Sequence, residues 1–380
     1  MRVAVLHSKV TDASAPDELD VLAQVDAVSS ALKNLRHEPF PVPMSLDMAA
    51  AMTHLSREKP DFVFNLVEGL DGVGRFIYFA PAVLDQLGLP YSGSPTNAIY
   101  VSTNKILSKQ TLRQSDLPTP AWFNSNHQLQ RHPSFPPPYL IKPVWEDASV
   151  GIDDDSMVYK SHLDTILRQK TKKHGECLVE AYIAGREFNI SVLAGADGPE
   201  VLPPAEMLFR DYPPEKPRIV DYRAKWDESS FEYQNTVRTF DFPASDDALL
   251  EKMRHISLKC WKLFELRGYA RVDFRVDATG QPWVLEVNQV SRRLPNRLNV
   301  EAVFRLPAGI VELSSSRYMI DRDGYWLPTS LYRRPAPWKK VEMPHIVHER
   351  INELPVRGRP WNTTSLAVGA RLSALLVRST

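Results

Sequence analysis

Cysteine is almost missing from this chain. Its 380 residues contain two, Cys177 and Cys260, which supply neither a disulfide framework nor zinc-ligand spacing. Each reads as a buried small hydrophobe. Net charge is missing too: 46 Lys+Arg stand against 46 Asp+Glu. No overall field therefore recruits nucleic acid or an anionic membrane. No apolar run approaches the roughly 20 residues of a bilayer span, and residues 1–8 read as a strand, not a signal peptide. Internal repeats are absent as well. These absences leave a soluble, cytoplasmic chain with room for two or three domains.

Strands alternate with helices over the first hundred residues. Residues 2–7 read as a buried strand, and 18–35 carry helical spacing at Leu19, Leu22, Val25, Val28, Ala31, Leu32 and Leu35. A short strand near 40–42, a helix over 46–57, a strand over 61–67 and a helix over 75–87 follow. The alternation predicts an open α/β sheet with its ligand crevice at the carboxyl ends of the strands. Asn65-Leu66-Val67-Glu68-Gly69 stands at one such end. Residues 105–114 predict a connecting helix, and the proline-rich 133–138 marks a linker. A second unit has strands over 139–143, 157–159, 177–183 and 186–193, with a helix over 162–173. A third holds the segment 219–226, a long helix over 246–266 and a hairpin.

That hairpin concentrates the chemistry. Ala270-Arg271-Val272-Asp273-Phe274-Arg275 and Trp283-Val284-Leu285-Glu286-Val287-Asn288 flank a polar turn with Gly280 and Pro282. Residues two apart share a strand face, so Arg271 goes with Asp273, and Glu286 with Asn288. Pairing across the turn brings three oxygen ligands beside one guanidinium. Such a set suits Mg²⁺, which keeps substrate phosphates as its remaining ligands. An ordinary surface hairpin has the same pattern, so the rest of the chain must decide.

Lys142 ends a strand, and Trp145-Glu146-Asp147-Ala148-Ser149-Val150-Gly151 follows it. A loop of small residues can lay backbone N–H groups over phosphates while a strand lysine supplies point charge. Glu180-Ala181-Tyr182-Ile183 then leads through Gly185 to Glu187. An extended stretch beside a turn offers backbone groups to an adenine edge, and Glu187 can bind ribose hydroxyls. A solvated hairpin is the plainer reading of those residues alone.

The order of these features narrows the choice. Lys105, Lys142, the 146–151 loop, residues 180–187, Lys225, Arg271, Asp273, Glu286 and Asn288 occur in one succession. It resembles the ATP-grasp superfamily, specifically the D-alanine–D-alanine ligases and their relatives. Leu89-Pro90-Tyr91-Ser92-Gly93-Ser94, Lys142-Pro143, Glu146-Asp147-Ala148-Ser149-Val150-Gly151-Ile152 and Gly185-Arg186-Glu187-Phe188 carry the likeness, which covers about residues 1–288.

The resemblance implies an α/β protein of ATP-grasp fold. An N-terminal open parallel-sheet domain (1–104) would precede a central α+β lid domain (105–195) and a C-terminal α+β domain (196–288). Lys105, Lys142 and Lys225 would contact ATP phosphates, with Ser149, Val150 and Gly151 closing over them. Glu180, Ala181, Tyr182 and Ile183 would form the adenine-facing hinge, and Glu187 would take the ribose. Asp273, Glu286 and Asn288 would hold Mg²⁺, with Mn²⁺ an alternative, and Arg271 would stabilise the oxyanion. A substrate carboxylate attacks the γ-phosphoryl group to give an acyl phosphate, and an amine then displaces phosphate. Such chemistry needs charge and positioning more than covalent help, so no Ser/His/Asp or Cys/His set is required. The product would be a D-alanyl-D-alanine-like dipeptide, a peptidoglycan precursor. The partners would be small amino acids and a second copy in a homodimer, with no nucleic acid and no membrane.

Two regions depart from the family pattern. Close relatives read Asn-Pro-x-x-x-Leu-Ser-Pro at the metal asparagine, whereas this chain continues Gln289-Val290-Ser291-Arg292-Arg293-Leu294-Pro295. Residues 1–288 hold 31 basic and 39 acidic residues, a net −8, while 289–380 hold 15 and 7, a net +8. A basic accessory tail is one explanation. A shifted reading frame is the sharper one, because Pro-Ser-Leu-Ser-Pro codons read one base along encode Gln-Val-Ser-Arg-Arg. That origin would leave the C-terminal domain incomplete; a single uninterrupted frame shared by close relatives would sink it. Near the N-terminus no Ser-x-Glu motif follows the first strand. Glu68 is the better candidate for the substrate amine, and Glu18 reads as a helix N-terminal acid. Ligation of other amino acids, ATP binding without ligation, and a basic-tailed interaction protein therefore stand beside the first reading.

Overall fold

Val3, Ala4, Val5 and Leu6 are all fully buried, as befits a strand covered on both faces. They form β1 (Arg2–Ser8), the middle of a parallel sheet ordered β2-β1-β3, with β2 at Glu38–Met44 and β3 at Phe62–Leu66. Pro39, Pro41 and Pro43 alternate along β2, so all three missing donors point to one side. An edge strand tolerates that only on its unpaired side. The structure is a computed structural model that describes residues 1–289 apart from 13, 125–132 and 196–197, plus the backbone of four short strands beyond them.

Helices α1 (Pro16–Asn34), α2 (Met48–Glu58) and α3 (Phe79–Leu87) pack on this sheet, and α4 (Thr96–Thr103) and α5 (Lys105–Gln114) follow in the chain, their Ala98 and Leu112 entering a different core. The helix expected over 75–87 is instead a 3-10 turn at Gly74–Phe76 followed by α3. Its apolar spacing survives the break because Phe76 and Phe79 stack at 5.5 Å against the same core.

The central sheet is antiparallel and ordered β4-β7-β5-β6: β4 (Trp122–Asn124), β5 (Tyr139–Pro143), β6 (Met157–Val158) and β7 (Cys177–Ala181). Helix α6 (Leu163–His174) lays Leu163 and Leu167 on Ile141, Cys177 and Val179.

The third sheet contains β8 (Arg186–Gly195), β9 (Gly198–Val201), β10 (Ala205–Phe209), β11 (Thr236–Thr239), β12 (Tyr269–Val276) and β13 (Pro282–Asn288). Its order is β11-β10-β8-β12-β13, with β9 paired to β8. Short helices α7 (Arg223–Trp226) and α8 (Phe231–Asn235) precede β11, and α9 (Asp247–Leu263) covers one face. Residues 186–193 were expected in the central unit, yet β8 lies in the middle of this third sheet. Phe188, Ile190 and Val192 are 0–1% exposed and share a core with Met253, Ile256 and Cys260 of α9. Each such side chain contributes about 1.5–3 kcal/mol on burial. Strand patterning identifies the buried face and not the pairing partner, and β8 pairs with β10 and β12. Both cysteines are buried, as the sequence suggested.

Met1–Leu298 form one compact unit and Asn299–Thr380 another. In the second, β14 (Pro307–Leu313), β15 (Ser316–Asp321), β16 (Trp326–Leu327) and β17 (His345–Val347) are ordered β16-β15-β14-β17. The departing run 290–295 lies outside the described residues.

Candidate active site

The β12–β13 pairing sets Arg271 opposite Asn288 and Asp273 opposite Glu286. A bulge follows, since Phe274 pairs with Val284 and leaves Leu285 as the extra residue. Arg271 Nε and Nη2 donate to the two Asp273 oxygens at 2.7 and 2.8 Å. The Asn288 amide donates to the same carboxylate at 3.0 Å, and that of Asn189, on β8, at 2.8 Å. Burial would raise the Glu286 carboxyl, but Lys105, Lys142, Lys225 and Arg271 outweigh it and hold the group at about 2. Glu286 is thus a carboxylate at any physiological pH.

Lys142 sits on β5, its Nζ 3.0 Å from Glu180 Oε1 and 3.8 Å from Glu286 Oε1. Glu180 was expected to face adenine. Its side chain lines the cleft and ion-pairs with both Lys142 and Lys109. The N–H groups of Ala181 and Tyr182 are engaged by Ala121 O and Pro138 O. Lys105 opens α5, whose first turn is capped by the Asn104 side chain. Its Nζ donates to the Glu146 carbonyl and lies 3.6 Å from Asp147.

The loop after β5 is held in a left-handed conformation at Ala148 (φ 54°), Ser149 (φ 64°) and Gly151 (φ 76°). A Cβ on Gly151 would come within 2.7 Å of Pro143. Ser149 Oγ donates to Val220 O at 2.7 Å, and Trp226 Nε1 to Ala148 O at 3.2 Å. The loop is therefore pinned to the segment that carries Lys225. Burial, with Arg271 nearby, lowers the Lys225 ammonium to about 8. Glu187 is buried and pairs with Arg275 Nη2 at 2.9 Å, and burial raises its pKa in spite of that partner.

These groups surround one cleft of about 810 Å³, its open mouth included. Of the residues singled out from sequence, Lys142, Ser149, Glu180, Tyr182, Ile183, Glu187, Lys225, Arg271, Asp273 and Glu286 line it. Lys105, Val150, Gly151, Ala181 and Asn288 are not among its lining residues. Glu68 belongs to a second cavity of about 480 Å³, with Asp17, Glu18, Asp71 and Lys9, and Glu146 borders both. Glu18 caps α1 by accepting from Ala15 N at 3.0 Å. Sequence reasoning missed Lys109, Asn189 and Arg275. Lys109 is four residues after Lys105 on one helix face, and Asn189 is two residues after Glu187 on one strand face. Both spacings were readable.

The cleft carries a pH prediction. The Lys225 ammonium is charged below about 8, so affinity for a polyphosphate should fall as pH rises from about 7 to about 9. Bound phosphate raises the midpoint, and Lys225→Arg should flatten the profile. Calorimetric titration of ATP across that window checks this, and a flat wild-type profile would refute it.

Two antiparallel sheets, each backed by a helix and closing on a cleft of lysines, carboxylates and arginine, define an ATP-grasp protein. The parallel sheet stands ahead of them. The family model described as D-ala D-ala ligase C-terminus matches residues 112–291. A D-alanine–D-alanine ligase of Aquifex aeolicus is 30% identical over 267 residues, covering 70% of this chain and 82% of its own. An uncharacterised protein of Sinorhizobium fredii is 31% identical over 276 residues, covering 70% and 77%. The crystal structure of D-alanine–D-alanine ligase from Bacillus anthracis superposes with a TM-score of 0.56 at 26% identity, covering 76% of this chain and 87% of its own. This chain belongs to the D-alanine–D-alanine ligase family of ATP-dependent ligases.

Proposed function

We propose that this chain uses ATP to join the carboxylate of one amino acid to the amine of another. A carboxylate oxygen attacks the γ-phosphorus, the bond to ADP breaks, and an acyl phosphate forms. The amine nitrogen then attacks the acyl carbon, and inorganic phosphate leaves as the amide forms. Lys105, Lys142 and Lys225 carry the charge that holds the phosphates, and the Ser149–Gly151 loop supplies N–H groups over them. Tyr182 and Ile183 face the adenine, Glu187 the ribose, and Arg271 the oxyanion of the second step.

Asp273, Glu286 and Asn288 form an all-oxygen donor set that fits Mg²⁺ and also suits Mn²⁺. When bound, the ion neutralises phosphoryl charge. The observation that carries this reading is the meeting of Asp273 and Glu286 with Lys142, Lys225 and Arg271 in one cleft, with Asn288 hydrogen-bonded to Asp273 beside it.

Phosphate release with Mg²⁺-ATP, with and without D-alanine, tests it. Stimulated release is expected; ATP binding without any amino-acid-stimulated release would leave an ATP-binding protein that does not ligate. The cavity around Glu68 favours a second reading of the substrate. Asp17, Glu18, Glu68, Asp71 and Glu146 face one lysine there, a lining that suits an ammonium and opposes added negative charge. In an amino-acid panel, acidic side chains should be the poorest first substrates. Equal use of D-aspartate and D-alanine would count against this reading.

Residues 1–104 serve as the substrate domain in this scheme, with the lid and metal-bearing units following. The family match stops at residue 291, which supports reading 289–380 as foreign to the family. Sequencing the locus would reveal the proposed frame change.

A further inference from the structure

Lys109 is 2% exposed, and no step above uses it. A lysine so enclosed loses its hydration and remains charged only against a carboxylate. Its Nζ forms an ion pair with Glu180 Oε2, donates to Thr119 Oγ1 at 2.9 Å and lies 5.8 Å from the Trp122 ring centroid. Thr119 Oγ1 in turn donates to Val284 O of β13 at 2.8 Å. The other oxygen of Glu180 holds Lys142 Nζ at 3.0 Å. Lys142 and Glu180 line the nucleotide cleft, whereas Lys109 stands behind them.

We propose that Lys109 is a positioning residue for nucleotide binding, occupying one oxygen of Glu180 so that Lys142 keeps its ammonium turned toward the phosphates. The charge balance gives the reason. Lys109, Glu180 and Lys142 together carry one net positive charge. Without Lys109, Glu180 and Lys142 make a neutral pair, and both carboxylate oxygens are free to fold onto Lys142. The tie through Thr119 anchors the arrangement to the strand that bears Glu286. This inference rests on the nucleotide reading of the cleft.

The test is calorimetric binding of ATP and of adenosine to the full chain, which needs no turnover. Lys109→Met should weaken ATP roughly tenfold, the scale of one unit charge lost from a low-dielectric site. Adenosine, which lacks phosphates, should bind as it does to wild type. Lys109→Met with Glu180→Gln restores the single positive charge and should recover most of the ATP affinity. If Lys109→Met does not fold, Lys109→Gln removes the same charge while keeping a donor to Thr119. ATP affinity within twofold of wild type, or equal losses for ATP and adenosine, would overturn the proposal and leave the nucleotide reading standing. A wild-type protein that binds no ATP would overturn that reading, and this inference with it.

Discussion

Asp273→Ala is expected to lower amino-acid-stimulated phosphate release by on the order of 10³-fold, the scale for losing a charged group that organises a phosphoryl-transfer site. Asp273 accepts two hydrogen bonds from Arg271, one from Asn288 and one from Asn189. Its removal takes an oxygen from the proposed metal set and also frees the guanidinium proposed to meet the oxyanion. Arg271 and Asp273 are 20% and 12% exposed at the side chain, so the orphaned charge stays largely enclosed. Breaking one partner of such a pair costs about 3–5 kcal/mol. Asp273→Asn keeps the shape and separates the two effects: it should fold better than the alanine variant and remain nearly inactive. Release rates and thermal unfolding of both variants would decide this. Activity within tenfold of wild type in Asp273→Asn would remove Asp273 from the mechanism.

Gly185→Ala is expected to destabilise the chain by about 3 kcal/mol or more. Gly185 stands between the cleft-lining Tyr182–Ile183 stretch and β8, with φ at +143°, a region open essentially to glycine alone. A Cβ there would lie 1.9 Å from Val276 O. That carbonyl belongs to β12, where Val276 pairs with Arg186, so relief of the overlap pushes apart two central strands. Arg275, which donates to Gly185 O at 2.9 Å and pairs with Glu187, would move with them. The substitution should therefore weaken nucleotide binding as well as the fold. Urea unfolding measures the first effect and ATP titration the second. An unchanged midpoint would show that the backbone accommodates the methyl group by a route this geometry does not offer.

Local pattern carried much of the reading. The hairpin of Asp273, Glu286 and Asn288 was legible because strand alternation and a tight turn determine which side chains face each other. The observed register pairs Arg271 with Asn288 and Asp273 with Glu286. The parallel N-terminal sheet was likewise legible from strands alternating with helices. Less accessible was the role of Glu180. Its position in the succession pointed toward adenine, and the pattern did not reveal that its side chain pairs with two buried lysines at the cleft. Lys109 escaped notice because a helical lysine normally faces water.

By itself, then, the sequence determined the class of chemistry, that of an ATP-dependent ligase family, through carboxylates, lysines and a loop of small residues in a set order. It also determined the strands and helices with strong apolar periods, such as β1, α1, β5 and α9, because those periods depend only on near neighbours; α4, β4, α8 and the short strands β9–β11 carry no such period. Tertiary structure alone decided that β8 pairs with β12 and not within the central sheet. It also decided that Arg275 joins the cleft, and that Glu68 opens into a separate acidic cavity. Those outcomes depend on which distant strands pair and which charges must be buried together, and neither is written in the spacing of residues along one segment.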